Sequence, residues 1–274
     1  MLDVSNLIPA GLHNSRVKQY LAIKSNTKAT SENLVCLEGL RALSLVLKAD
    51  LKIDTFFICP ELLRGDAGKQ IAKQVIADGV SSYVVSEKVL CTMVDWDGPD
   101  GLAAIVQLRR YSWQHLQLRS RNTLLVLDGL QIPGNIGTII RCADGAGADG
   151  ILITNRKQRL SHPRLVRASM GSLFGFPVVE CEVPEAASWL HAHGFQIITA
   201  SPDAALSYRQ ISYTERVAIV VGNEHHGISS EWYAAHDVSV SIPMHGRADS
   251  LNVGNAAVLL LYEAIHQQGQ LQCS

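Results

Sequence analysis

Residues 242–265, IPMHGRADSLNVGNAAVLLLYEAI, contain a strand end, a polar loop and the start of a helix in succession. Apolar and polar residues alternate over residues 238–242, which predicts a strand. Pro243 then lacks the backbone donor that further strand pairing would need. After the glycine-containing loop the apolar residues recur with helical spacing, so the sequence predicts a helix over residues 253–267. Ser250 and Asn252 therefore lie at a loop–helix junction.

Asn252 has two interpretations. Asn is common as the N-cap residue of a helix, and capping alone accounts for its position. The unpaired N–H groups of a helix start also bind anions and polar ligands. Two other stretches repeat the order of buried strand, Gly/Asn-rich turn and helix, and they favour a functional interpretation. They are PGNIGTIIRCA at residues 133–143 and IVVGNEHHGI at residues 219–228.

The composition indicates a folded protein of one large or two modest domains. The chain has 274 residues, of which 47% are hydrophobic and 18% are charged. Six cysteines are scattered without a C-x-x-C pair, which argues against a zinc site or a disulfide framework and fits a reducing compartment. The formal net charge of −1 means that any nucleic-acid contact must use local patches.

Two kinds of segment that are missing from the sequence bear on where the protein is expected to be located. The N-terminus lacks a basic segment followed by an apolar one, and no apolar run approaches the roughly 18 residues that a membrane span needs. We therefore expect a cytoplasmic protein without a membrane partner.

Strands alternate regularly with helices from residue 124 onward. Short β-branched strands are predicted at 124–127, 151–154, 177–180, 196–200, 217–221 and 238–242. Helices are predicted at 136–146, 185–193, 229–236 and 253–267. This alternation predicts an α/β fold with a parallel sheet, whose ligands bind beyond the carboxyl ends of the strands. Residues 1–110 form a smaller α/β domain in this interpretation, 111–121 a linker, and 122–274 the second domain.

The segment GAGADG at residues 145–150 matches the spacing G-x-G-x-x-G. A dinucleotide-binding fingerprint follows a strand and opens a helix. This segment follows a predicted helix and precedes a strand, so we expect a helix C-cap and a turn instead.

The three motif stretches resemble those of the SpoU (TrmH-like) family of RNA 2′-O-ribose methyltransferases. The motifs N-x-G-x-x-x-R-x-A, V-G-N-E-x-x-G and I-P-M-x-G-x-x-x-S-L-N-V occur in family order across about residues 122–267. The resemblance implies a SPOUT-like domain with a trefoil knot, S-adenosylmethionine as cofactor, and a homodimer. The N-terminal domain resembles, more loosely, the L30e-like substrate-binding domain of larger members, through LEGLR at 37–41 and PDGLA at 99–103.

The resemblance also implies site residues. It assigns catalytic roles to Asn135, Arg141, Glu224, Ser250 and Asn252. The implied cofactor pocket is built largely from backbone at Thr199, Ala200, Ser201, Gly222, Asn223, Glu224, Ile242, Met244, Leu251 and Val253. The implied contacts with RNA, some of them across a dimer interface, are Arg41, Arg156, Lys157, Arg159, Arg164 and Arg167.

Four of these residues have, like Asn252, a structural alternative. Gly222 lets the chain approach the cofactor without a Cβ clash in this interpretation, and a plain turn glycine is the alternative. Asn135 could be a helix N-cap, Glu224 an ordinary acid in a first helical turn, and Arg141 a solvated surface residue. A guanidinium stays protonated in proteins, so we interpret Arg141 as a group that holds phosphate and stabilises a developing alkoxide rather than as a base.

The basic segment RKQRLSHPRLVR at residues 156–167 suits phosphate contacts, with a solvated loop as the alternative. His225, His226 and His245 lack the spacing of metal ligands, so no metal is expected.

The sequence thus predicts an S-adenosylmethionine-dependent RNA 2′-O-methyltransferase. L30e-like domains favour large structured RNA, so 23S-type rRNA is preferred over tRNA, by analogy. A tRNA methyltransferase and a non-catalytic RNA-binding assembly factor are the alternatives. A housekeeping role and a role in antibiotic resistance are both compatible with the sequence.

Overall fold

The computed structural model describes residues 4–26, 33–95 and 99–269. The chain divides into two compact units. The first comprises residues 1–109 with 160–166, and the second comprises residues 110–159 with 167–274.

A five-stranded mixed sheet forms the first unit. Its strands are β1 (Ile8–Pro9), β2 (Leu34–Glu38), β3 (Ile53–Ile58), β4 (Ser82–Val84) and β5 (Leu102–Gln107), in the order β1-β4-β3-β5-β2. Strand β5 runs antiparallel to both of its neighbours. The helices are α1 (Ser15–Lys24), α2 (Leu40–Lys48), α3 (Gly65–Ala77) and α4 (Glu87–Met93).

The two short motifs of the first unit meet at the start of α2. Asp100 Oδ2 accepts a hydrogen bond from the backbone N–H of Leu40 at 2.6 Å. Gly39 has a φ of +88°, and a Cβ added to it would lie 3.2 Å from the same carboxylate oxygen. Gly101 has a φ of +87°, and a Cβ there would lie 2.7 Å from the carbonyl oxygen of Cys59. These motifs therefore have a packing role whether or not RNA binds nearby.

Gly101→Ala is expected to destabilise the first unit by about 2–5 kcal/mol, because it combines a left-handed backbone with a backbone clash. Gly79→Ala is the matched control, since Gly79 has a φ of +75° but nothing within 4 Å of its added Cβ. We expect that variant to lose only about 1–2 kcal/mol. Thermal and urea unfolding measure both changes, and equal losses would contradict the clash.

Seven parallel strands form the sheet of the second unit. They are β6 (Asn122–Asp128), β7 (Gly150–Thr154), β8 (Val178–Glu180), β9 (Gln196–Ala200), β10 (Leu206–Ser207), β11 (Arg216–Val221) and β12 (Val238–Ser241), in the order β10-β12-β9-β11-β6-β7-β8. The remaining helices of the described chain are α5 (Pro133–Ala146), α6 (Pro163–Ala168), α7 (Val183–Ala192), α8 (Ser230–Ala235) and α9 (Val253–Gln267).

Strand β6 lies at the centre of this sheet, between β11 and β7, and every one of its residues is buried. Helix α9 packs against α5, β6 and β11 with its apolar face. Because all the strands run parallel, the turns after β6, β9, β11 and β12 lie at one edge of the sheet. Three of those turns carry the sequence motifs.

The predicted strands and helices of the second unit are all present, and the bounds of α9 and β9 agree with the prediction. Helix α5 begins at Pro133, three residues earlier than predicted, because proline fits the first helical position. The G-x-G-x-x-G segment is a helix end as predicted, with Gly147 as the left-handed C-cap. The short elements α6 and β10 were not predicted.

Residues 111–121, predicted as a linker, pack onto the second unit. Leu116 is buried in its core. The Trp113 ring stacks on Trp189 of α7 with centroids 4.9 Å apart, and Trp113 Nε1 donates to Glu185 at 2.6 Å. Within the described ranges, no helix is long and apolar enough to cross a membrane.

Candidate active site

The Glu224 carboxylate joins the turn after β11 to the start of α5. Glu224 Oε1 accepts from Asn135 Nδ2 at 2.8 Å, and Oε2 accepts from the backbone N–H of Gln131 at 3.4 Å. Asn135 lies inside α5, whose N-cap residue is Ile132, so Asn135 is not an N-cap. Glu224 precedes α8 by several residues, so it is not a first-turn acid either. The structural alternatives for these two residues are therefore excluded.

Both polar atoms of the Asn252 side-chain amide form hydrogen bonds. Its Oδ1 caps α9 by accepting from the backbone N–H of Gly254 at 2.9 Å. Its Nδ2 donates to Asn135 Oδ1 at 3.3 Å. Asn252, Asn135 and Glu224 thus form one hydrogen-bonded chain that connects the three motif loops, which we call the amide–carboxylate chain.

A tight turn at residues 223–227 presents Glu224 at this edge. Asn223 and Gly227 exchange two backbone hydrogen bonds, of 2.8 and 3.0 Å. Asn223 Oδ1 accepts from the backbone N–H groups of His225 and His226, and its Nδ2 donates to the Gly129 carbonyl at 2.8 Å. The Asn223 side chain thus stabilises the turn and ties it to the end of β6.

Gly222 is required because another part of the chain occupies the space of its side chain. A Cβ at this position would overlap the carbonyl group of Gly227 and the nitrogen of Ile228. We expected this glycine to allow a ligand to approach. The structure shows a different close neighbour, which is the backbone of its own turn.

The other residues predicted for a cofactor pocket lie at the carboxyl ends of β9 and β12 and at the start of α9. The Thr199 side chain is buried, with its hydroxyl 2.7 Å from that of Ser239, so it bonds within the sheet. The Ser201 N–H donates to the Val240 carbonyl at 2.9 Å. Val253 is buried as well. The other residues of this group are partly buried, namely Ala200, Ser201, Gly222, Asn223, Ile242, Met244 and Leu251.

Arg141 and Ser250 are exposed. Neither side chain makes a hydrogen bond or an ion pair with any part of the described chain. Arg141 follows Asn135 by six residues on α5, a separation of about 9 Å along the helix axis. Among the described residues, the guanidinium forms no hydrogen bond with any member of the amide–carboxylate chain.

The basic residues predicted to bind RNA are mostly exposed. Arg156 forms an ion pair with Glu180 at 3.2 Å, which offsets part of its charge. Arg41, Lys157, Arg164 and Arg167 are exposed, and Arg159 is partly buried. His225, His226 and His245 are exposed as well, and the described residues contain no group of three or more His, Cys, Asp or Glu that could hold a metal.

The sequence did not predict that two backbone groups belong to the site, namely the Gly129 carbonyl and the Gln131 N–H. Backbone groups have no sequence signature, and only the fold shows that the end of β6 lies beside the turn after β11.

The fold and this site define a family. Residues 122–262 match the model of the SpoU rRNA methylase family, and residues 14–104 match that of the MRM3-like substrate binding domain. Because the first match covers more than half of the chain, the protein belongs to the SpoU rRNA methylase family.

Two relatives with named activities match along almost the whole chain. The 23S rRNA (guanosine(2553)-2′-O)-methyltransferase RlmP of Bacillus subtilis is 27% identical over 91% of this chain and 95% of its own length. The 23S rRNA (uridine(2479)-2′-O)-methyltransferase of Streptomyces viridochromogenes is 28% identical, over 93% and 91%.

Solved structures agree with these sequence matches. The AdoMet-bound rRNA methyltransferase from Sinorhizobium meliloti superposes with a TM-score of 0.84 at 30% identity, covering 94% of this chain and 96% of that one. The SpoU methyltransferase AviRb from Streptomyces viridochromogenes has a TM-score of 0.81 at 27% identity, over 94% and 98%.

These matches confirm the predicted family, the SPOUT-type α/β fold with its smaller N-terminal domain, and the class of S-adenosylmethionine-dependent RNA methyltransferase. The predicted trefoil knot is consistent with that fold.

Asn252 offers a way to separate capping from site chemistry. Asn252→Ser keeps a capping oxygen but loses the donor to Asn135, so we expect stability within about 0.5 kcal/mol of wild type and roughly tenfold slower methyl transfer. Asn252→Ala is expected to lose about 1 kcal/mol of stability as well. Thermal unfolding with a methyl-incorporation assay measures both, and full activity of Asn252→Ser would restrict Asn252 to capping.

Proposed function

We propose that this protein transfers a methyl group from S-adenosylmethionine to a ribose 2′-hydroxyl of 23S-type rRNA. The observation that carries the proposal is the amide–carboxylate chain, which links all three motif loops through Asn252, Asn135 and Glu224. Two relatives that match over more than nine-tenths of the chain are named as 23S rRNA 2′-O-methyltransferases, which supports rRNA as the substrate.

The residues at this edge suit the cofactor. Ile242, Met244 and Leu251 are partly buried and apolar, and they lie at the same carboxyl edge of the sheet as Gly222. Apolar side chains at such an edge suit an adenine, which backbone groups can hold in place. S-adenosylmethionine supplies an electrophilic methyl group when it is bound. The protein's task is then to hold the ribose hydroxyl in line with that methyl group, which can lower the barrier by several kcal/mol.

The amide–carboxylate chain positions the hydroxyl in this proposal. Within the described residues, Glu224 Oε2 accepts only one hydrogen bond, a long one of 3.4 Å from the Gln131 N–H, so it can accept another from the ribose 2′-hydroxyl. Asn135 fixes the other oxygen of the same carboxylate. The hydroxyl proton passes to Glu224 Oε2 as the oxygen takes up the methyl group, whose bond to the sulfonium sulfur breaks. Arg141 stabilises the negative charge that develops on the oxygen. Ser250 lies on the same loop as Asn252 and contributes a hydroxyl to the ribose.

A homodimer completes the proposal. Leu259 and Tyr262 lie one turn apart on α9 and are each 42% exposed, so the helix presents an apolar surface that a second copy can cover.

Basic side chains bind the phosphates of the RNA in this proposal. They are Arg41, Lys157, Arg164 and Arg167, together with Arg156 and Arg159. The N-terminal unit recognises the RNA, and the enzyme acts in the cytoplasm.

The substrate is tested by incubating the protein with labelled S-adenosylmethionine and either unmodified 23S rRNA or unmodified tRNA. We expect label in the rRNA at one alkali-resistant position, because ribose 2′-O-methylation blocks alkaline cleavage at that linkage. Label in tRNA alone would contradict the proposed substrate. S-adenosylmethionine binding without methylation of either RNA would favour the non-catalytic RNA-binding factor.

A further inference from the structure

Asp128, the last residue of β6, is a buried carboxylate where three segments of the second unit meet. Its side chain accepts three hydrogen bonds and the residue is 2% exposed. Oδ1 accepts from Thr154 Oγ1 at 2.9 Å and from Asn155 Nδ2 at 2.8 Å, while Oδ2 accepts from the Ser229 N–H at 2.7 Å. These donors come from the end of β7, the turn after it, and the N-cap of α8.

The segment between Asn223 and Ser229 is fastened to the end of β6 at both of its ends. Asn223 Nδ2 donates to the Gly129 carbonyl, and the Ser229 N–H donates to Asp128. Glu224 lies between these two attachments. Asp128 therefore helps to determine where Glu224 lies at the carboxyl edge of the sheet, although it does not touch that residue.

The donors around Asp128 require a group that only accepts hydrogen bonds. The Ser229 N–H is a backbone donor with a fixed direction. The Thr154 hydroxyl already accepts a hydrogen bond from Trp232 Nε1 at 3.3 Å, so its own proton is directed to Asp128. An asparagine at position 128 has the same shape, but its NH₂ group would face a donor.

We propose that Asp128 is a positioning residue for methyl transfer, which holds the turn carrying Glu224 in its catalytic position. This inference rests on the proposed function and extends it to a residue that none of the three sequence motifs contains. Asp128→Asn is expected to lower kcat for RNA methylation roughly 10-fold to 100-fold, because small displacements of a catalytic group have large kinetic effects.

A purely structural role would predict lost stability without a specific loss of catalysis. Asp149→Asn is the matched control, because Asp149 Oδ2 also accepts a backbone N–H, that of Thr123 at 2.8 Å, but at the amino ends of the strands. We expect Asp149→Asn to keep the kcat of the wild type at a temperature where both variants are folded. Equal kcat losses in the two variants would overturn the positioning role.

An exchange of partners provides a stricter test. The double variant Asp128→Asn with Asn155→Asp places an acceptor opposite the new NH₂ group and leaves the new amide oxygen free to accept from Ser229. Asn155 has a φ of +48°, a conformation that Asp also tolerates. We expect the double variant to recover part of the lost kcat, because the Thr154 hydroxyl still faces the new NH₂ group. A kcat at or below that of Asp128→Asn would overturn the proposal.

Two additional measurements keep the test informative. If Asp128→Asn does not fold, Asn155→Gly removes one donor at a backbone conformation that glycine accepts, and we expect a severalfold lower kcat. An unchanged kcat in Asn155→Gly would overturn the positioning role.

Calorimetry of S-adenosylmethionine binding adds a measurement that needs no RNA. The affinity for the cofactor should fall in Asp128→Asn and return in the double variant. If wild-type protein binds the cofactor but methylates no RNA, the proposed function fails, while these affinities still test the positioning role.

Discussion

Arg141→Lys is expected to slow methyl transfer roughly 100-fold or more while leaving the fold and S-adenosylmethionine binding unchanged. The guanidinium is exposed and makes no hydrogen bond or ion pair within the described chain, so its replacement removes no polar interaction seen there. Arginine and lysine carry the same charge, but only the guanidinium offers a planar pair of donors to an oxyanion or a phosphate.

Single-turnover methylation of rRNA measures this effect, with the melting temperature and cofactor affinity as checks on folding. Arg209→Lys is the control, because Arg209 is another exposed arginine of the second unit, with its Nε 3.7 Å from Glu263. Its activity should remain within about twofold of wild type, as expected for an exposed ion pair of little energetic weight. Near-full activity of Arg141→Lys would remove the dedicated role of the guanidinium.

Gly222→Ala is expected to abolish detectable S-adenosylmethionine binding and methylation. A Cβ at position 222 would overlap the backbone of Gly227 and Ile228, and backbone atoms cannot move aside as a flexible side chain can. The turn that carries Glu224 must then open. We expect a stability loss of about 3 kcal/mol or more, from the overpacking and the lost turn hydrogen bonds together.

Gly145→Ala is the matched control for this substitution. Gly145 lies in α5 with nothing within 4 Å of its added Cβ, so the alanine should stabilise the helix by up to about 1 kcal/mol. Thermal unfolding and cofactor calorimetry on both variants measure the difference. Wild-type cofactor affinity in Gly222→Ala would show that the turn does not shape the pocket.

The sequence predicted the second sheet well because its strands are short, β-branched and regularly separated by amphipathic helices. The period of the apolar residues gave the bounds of α9, and proline and glycine marked where strands and helices end. The convergence of the three motif loops followed from the rule that parallel strands place their carboxyl ends at one edge. The hydrogen-bonded chain from Asn252 through Asn135 to Glu224 agrees with that expectation.

Other features depend on which segments meet in three dimensions, and the sequence alone could not supply them. Position 222 requires glycine because the backbone of Gly227 and Ile228 lies where a side chain would be. A contact with backbone atoms leaves no pattern of side chains in the sequence. Asp128 follows a run of buried residues, and its importance becomes visible only when β7 and α8 bring donors to it. Residues 111–121 are polar in sequence, yet Leu116 and Trp113 pack onto the second unit.

The most direct test of a single catalytic centre is a double-mutant cycle on single-turnover methyl transfer with Asn135→Ala, Glu224→Gln and the double variant. If Asn135 and Glu224 act as one unit, each single substitution should slow the reaction by roughly 10-fold to 100-fold, and the double variant should be little slower than the slower single variant. If the rate of the double variant is instead reduced by the product of the two single-variant factors, the residues act independently. That result would contradict the proposed centre.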